Sequence, residues 1–145
     1  IGPVSISSWF PKFYQSIIVH YVKTKHSDEE MSRLITPKTP FVPDFNKVDV
    51  NVLMEKNMDS VDKFDRYLMK LSNGDFRMPT LFKKYLKINA KFLCFNVDPD
   101  FNNTLDGLLF LRFEDYPKEE LMMLIKDNTP EEKARYAARF GISLD

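Results

Sequence analysis

Lys91-Phe92-Leu93-Cys94-Phe95-Asn96-Val97 is followed by Asp98-Pro99-Asp100-Phe101-Asn102-Asn103-Thr104 and then by Leu105-Asp106-Gly107-Leu108-Leu109-Phe110-Leu111-Arg112-Phe113. Two apolar runs flank a segment built of turn formers, and short apolar runs bounded by Asp, Asn and Pro read as strands. The stretch predicts two antiparallel neighbours, Lys91–Val97 and Leu105–Phe113, joined through Asp98–Thr104. Immediately upstream, Pro79 stands where a first helical residue belongs. Leu81, Phe82, Tyr85 and Leu86 then give a short amphipathic helix that Asn89 can close. Farther back, Val61, Phe64, Leu68 and Leu71 share one face of a helix from about Ser60 to Leu71, and Asn73-Gly74 ends it.

At the start of the chain Val4 and Ile6 alternate with Ser5 and Ser7, the period of a strand. Ser7 or Ser8 offers an N-cap for a long helix carrying Phe10, Phe13, Tyr14, Ile17, Ile18, Tyr21 and Val22, with Pro11 in its first turn. Ser27-Asp28-Glu29-Glu30 has the order of a capping box and predicts a short helix through Leu34. Pro37, Pro40 and Pro43 make Thr36–Phe45 an extended surface loop. Beyond the strands, Pro117 and Pro130 look like helix starts, the second capped by Thr129, and Gly141 is a stop. The expectation is an α/β (α+β) fold: a small mixed sheet of about three strands flanked by several helices. Three strands is few for so much helix, and the chain opens on Ile1-Gly2-Pro3. Residues 1–145 are therefore expected to be a portion of a longer polypeptide.

Composition narrows the function classes. The 145 residues suit one domain, and 21 basic residues balance 21 acidic ones. A net basic nucleic-acid binder is disfavoured, so no nucleic-acid partner is expected. The 13 phenylalanines favour a packed core over disorder. A single cysteine, Cys94, forbids an internal disulfide and a multi-thiolate zinc site. No run of apolar residues is long enough to suggest a membrane span, and no signal-peptide layout opens the chain.

Most local motifs read best as structure. Asp98, Asp100 and Asn102 match early positions of a calcium loop, but Asn103 replaces the required Gly and Leu109 the final Glu. No metal is expected there, and an Asx-type turn is the preferred reading. His20 and His26 lack ligand-spaced partners. Cys94, between Leu93 and Phe95, reads as an inert thiol. Asn102-Asn103-Thr104 fits a glycosylation sequon by chance. Lys83, Lys84 and Lys87 form a basic edge on the helix after Pro79. The four glycines are too scattered to make a phosphate-binding loop.

Two segments also carry a resemblance: Ile1-Gly2-Pro3-Val4-Ser5-Ile6-Ser7 leading into the aromatic helix, and Met78-Pro79-Thr80-Leu81-Phe82-Lys83-Lys84-Tyr85-Leu86-Lys87 followed by Asp98-Pro99-Asp100-Phe101-Asn102 and Leu105-Asp106-Gly107-Leu108. The chain up to about Phe113 resembles the C-terminal half of the hemolysin-like, or ornithine-lipid-type, N-acyltransferases of bacteria. These belong to the GNAT superfamily and are distantly similar to acyl-homoserine lactone synthases. The residues after Tyr116 carry no such likeness.

The resemblance implies a cytoplasmic acyltransferase of aminolipid synthesis, with a peripheral place at the inner membrane as an alternative. The donor would be acyl carrier protein or acyl-CoA, and the acceptor the amino group of an amino acid or similar amine. A fused O-acyltransferase domain is a further implied partner. The donor's glycine-rich turn would precede Ile1, so these residues alone are expected to hold no cofactor, to be inactive, and to self-associate through an unpaired sheet edge. By resemblance, Asp98, Asp100 and Asp106 would hold the cationic amine, Ser5 and Ser7 would line a strand beside the thioester, and Tyr85 would act as acid. The alternative is a non-catalytic GNAT-like module attached to a lipid acyltransferase.

Overall fold

In the computed structural model, which describes residues 1–54 and 58–143, the two apolar runs are strands. β2 spans Lys91–Asp98 and β3 spans Thr104–Phe110, and they pair antiparallel. The N-terminal run is β1, Gly2–Ile6, and it pairs antiparallel with β3, giving the order β1-β3-β2. The fold is α+β with a three-stranded sheet, as the sequence predicts. Its strand directions are antiparallel throughout, not mixed.

The helices are α1 (Lys12–Lys25), α2 (Glu29–Ser32), α3 (Val50–Met54), α4 (Val61–Leu71), α5 (Thr80–Lys87), α6 (Lys118–Leu124) and α7 (Pro130–Phe140). Val4, Ile6, Phe92, Phe95, Leu105 and Leu109 form one continuous core with Ile17, Ile18, Tyr21 and Val22 of α1, Phe64 and Leu68 of α4, and Phe82 and Leu86 of α5. These three helices thus lie on one face of the sheet. Tyr21 stacks on Phe64 with centroids 3.9 Å apart, which fixes α1 against α4.

One irregularity arranges that core. The register jumps from Phe92↔Leu109 to Cys94↔Leu108, so Leu93 is an extra residue in β2. In a regular strand Phe92 and Phe95 would point to opposite faces. The bulge turns both onto the core face, where their rings stack at 5.6 Å, and Phe82 stacks on Phe92 at 5.1 Å. Gly107 lies beneath them. A Cβ there would come within 2.7 Å of the Phe92 ring and 3.1 Å of the Phe95 ring.

The proline-rich segment borders β2, so it is more than a surface loop. Val97 N–H donates to the Thr39 carbonyl at 2.8 Å, Phe41 N–H donates to the Phe95 carbonyl, and the Phe41 side chain is buried. Phe92 N–H donates to the His26 carbonyl at 2.7 Å. These two pieces cover the outer edge of β2. The outer edge of β1 carries no strand among the described residues.

Several helix ends differ from expectation for local reasons. The Ser7 hydroxyl accepts the N–H of Trp9, inside the turn before the helix, so α1 starts after Pro11 without a side-chain cap. The Ser27 hydroxyl donates back to the Lys23 carbonyl, and Asp28 caps α2 instead by accepting the N–H of Met31. α2 stops at Ser32, short of Leu34. Strand β3 ends at Phe110, short of Phe113: Arg112 folds over the Phe110 ring, and Phe113 enters a short 3-10 turn packed on Tyr116 and Phe140. Helix α3 is not anticipated by any sequence pattern. Ser60 caps α4, and Thr129 with Glu132 forms a complete capping box on α7.

Candidate functional site

On the sheet face away from the helices, Ser5, Asp106 and Asn96 stand opposite one another in register. The Ser5 hydroxyl donates to Asp106 Oδ1 at 2.6 Å. Pro3, Leu108 and Cys94 form the next row, and all six residues remain exposed or half-exposed. Asn96 is turned toward the sheet edge, where its side-chain Oδ1 accepts the N–H of Thr39 at 2.7 Å. Burial pushes the Cys94 thiol up, against a weaker pull from Lys23, which keeps it protonated.

The connection between β2 and β3 is a hydrogen-bonded double turn. The Asp98 carboxylate accepts the N–H groups of Asp100 and Phe101 at 3.0 and 3.2 Å. Asn102 and Asn103 then adopt φ of +53° and +54°, and Thr104 N–H closes on the Phe101 carbonyl. Positive φ at both central residues is what a mirror-image hairpin turn needs, and Asn tolerates it. Asn102 Nδ2 donates to Ser8 Oγ at 3.1 Å and ties the turn to the start of α1. Beside this tie lies a cleft of about 570 Å³, lined by Ser8, Lys12, Gln15, Thr39, Asn102 and Asn103 among others.

The residues predicted for a site therefore separate. Ser5 and Asp106 are brought together on the face opposite α1, α4 and α5. Ser7 holds the turn before α1 through both its hydroxyl and its carbonyl, which accepts from Phe10 N–H and Gln15 Nε2. Asp98 serves the double turn, and Asp100 stands exposed on it. Tyr85 belongs to α5, in the helical layer, half-buried against the core and near Tyr116.

Sequence reading missed Asp65. It falls on the apolar stripe of α4, between Val61 and Leu68, and its side chain is only 3% exposed. It accepts the Met78 N–H at 2.9 Å and Lys83 Nζ at 2.7 Å, with Arg77 at 3.3 Å. Burial pushes its pKa up, but the Lys83 and Met78 hydrogen bonds and the neighbouring charges outweigh this and hold it below the usual carboxylate range. A carboxylate inside an apolar stripe was the signal available. It anchors the Arg77-Met78-Pro79 entry to α5. Lys83 and Lys87 also pair with Asp62, each at 3.0 Å, so most of the basic edge is neutralised within the fold.

Compared with protein-family models, with curated proteins and with solved structures, the chain gives no significant match. Among the described residues no helix is long and apolar enough to cross a membrane.

Proposed function

We propose that residues 1–145 form the acceptor-side, C-terminal portion of a bacterial N-acyltransferase of the GNAT kind. It moves a fatty acyl group from acyl carrier protein or CoA to the amino group of an amino acid in aminolipid synthesis, in the cytoplasm at the face of the inner membrane. The support is the resemblance of the Pro79 helix and the Asp98–Leu108 strings, together with one observation. The Ser5–Asp106 pair joins two predicted substrate residues across β1 and β3 on the sheet face opposite α1, α4 and α5.

Amide formation from a thioester needs a neutral amine that attacks the carbonyl carbon; the C–N bond forms, the C–S bond breaks, and the proton leaves with the thiolate. In this proposal the Ser5 hydroxyl occupies Asp106 Oδ1 and fixes the carboxylate, leaving Oδ2 to hold the incoming ammonium group, which gives up one proton to solvent before the neutral amine attacks. Asp100 supplies a second, exposed negative charge nearby on the turn. Tyr85 stands in the other layer, so the thiolate takes its proton from the attacking amine nitrogen. No covalent enzyme intermediate is needed.

A second reading is favoured by a specific feature. Neither the strand-end cleft nor the cavity among the C-terminal helices is lined by Ser5 or Asp106, whereas small-molecule sites are concave. A non-catalytic module that docks acyl carrier protein or an adjoining O-acyltransferase domain needs only a surface. The outer edge of β1, unpaired among the described residues, also offers self-association by strand pairing.

The deciding experiment incubates the full-length protein containing this sequence with acyl-loaded carrier protein or acyl-CoA and a panel of amino acids, with products read by mass spectrometry. N-acyl amino acids are expected. Carrier-protein binding with no N-acyl product from any amine would favour the module.

A further inference from the structure

Two adjoining cavities lie among the C-terminal elements, in the part of the chain to which the resemblance does not extend. The first, of about 380 Å³, is walled by Phe113, Leu121, Ile125, Tyr136 and Phe140, with Asn128 as a polar side chain in its lining. The second, of about 520 Å³, runs from the same wall toward α5, where Lys84, Lys87 and Glu120 line it. Tyr116 and Leu124 belong to both. Leu121 and Ile125 are buried yet lie outside the main core, so α6 and α7 flank a separate apolar groove that is open to solvent along Leu124 and Tyr136. Each cavity has the volume of a small-molecule site.

We propose that these cavities bind one single-chain anionic amphiphile, a long-chain carboxylate, with its alkyl chain among Phe113, Leu121, Tyr136 and Phe140 and its carboxylate at Lys84. The lining is apolar at one end and charged at the other, which orients such a ligand. Among the lysines of α5, Lys83 and Lys87 are paired with Asp62 or Asp65, and Lys84 carries no ion pair among the described residues. Glu120 beside it repels a second negative charge, which favours a carboxylate over a phosphate dianion. Burial, with the neighbouring Tyr85 and Glu120, raises the Tyr116 phenol above its ordinary value, so it faces the headgroup as a neutral hydrogen-bond donor. None of these residues is part of the Ser5–Asp106 site, and the inference does not depend on the acyl-transfer reading.

Calorimetric titration of the 145-residue chain with decanoate, below its micellar concentration, and with the uncharged 1-decanol tests it. Saturable one-to-one binding of both ligands is expected. Lys84→Glu should weaken decanoate about fivefold, the reach of one exposed charge contact, and leave decanol unchanged. Ala137→Phe fills the first cavity and should weaken both by more than about tenfold, since several methylenes lose their burial. Absence of saturable binding would overturn the proposal. So would equal weakening of both ligands by Lys84→Glu, or full binding by an Ala137→Phe chain that melts like the wild type. A dimer by size exclusion that Ala137→Phe dissociates would assign the space to a second copy instead. If Ala137→Phe fails to fold, the Lys84→Glu comparison decides alone.

Discussion

Gly107 shows how much a single missing atom can organise. The Leu93 bulge places two phenylalanine rings over its α-carbon, leaving no room for a methyl group. Gly107→Ala is expected to lower stability by about 1–3 kcal/mol through overpacking, measured by urea denaturation. A loss under about 0.5 kcal/mol would mean that the rings can shift freely. His26 carries a pH dependence. Burial first, then the charges of Lys91 and Lys25, lower its pKa from 6.5 to about 4. Between those values the unfolded chain binds the extra proton and the folded chain does not, so stability rises with pH. The contribution is complete above pH 6.5 and is lost as pH falls toward 4. Melting temperature should drop across that window, and His26→Gln should flatten the drop. Asp62 and Asp65, whose pKa values are lowered, lose their contributions only at more acidic pH.

Among the elements, those with chemical punctuation were legible. α4 has Ser60 before it and Asn73-Gly74 after it, with Gly74 N–H bonded to the Met69 carbonyl at 2.7 Å. α7 has Thr129, Pro130, Glu132 and an αL Gly141. Thr129→Ala is expected to cost about 1 kcal/mol and to speed amide hydrogen exchange in the first turn of α7 ahead of the sheet. Uniform acceleration through the whole chain would contradict a local cap. The strand–turn–strand unit is legible because short apolar runs and the turn chemistry between them are both local. What escaped depends on distant partners. α3 is five residues long without a repeating stripe, and burial of Met54 in the core holds it. The bulge at Leu93 follows from Gly107 on another strand. Ser7 and Ser27 stand where caps are expected, but a hydroxyl beside a helix end can bond to the preceding turn as readily as to the next one. Of the candidate site, the residue types were legible. Their grouping was not, because Ser5 and Asp106 meet only through the β1–β3 register.

The whole molecule is a two-layer arrangement: α1, α4 and α5 on one side of the sheet and the Ser5–Asp106 row on the other. That division separates Tyr85 from the carboxylates predicted to act with it. It also makes the proposed acyl transfer specific, because two aspartates are candidates to hold the amine: Asp106 on the sheet face and Asp100 on the turn. The measurement that bears on it most directly is steady-state kinetics of the full-length protein with varied amine, comparing Asp106→Asn with Asp100→Asn. An amide at position 106 can still accept from the Ser5 hydroxyl, so melting temperature should hold in both variants. The account predicts that Asp106→Asn raises the apparent KM for the amine by about ten- to a hundredfold, the worth of one charge-assisted hydrogen bond, while Asp100→Asn changes it less than about threefold, as an exposed charge does. Unchanged KM in Asp106→Asn with a large rise in Asp100→Asn would place the amine on the turn and contradict the account.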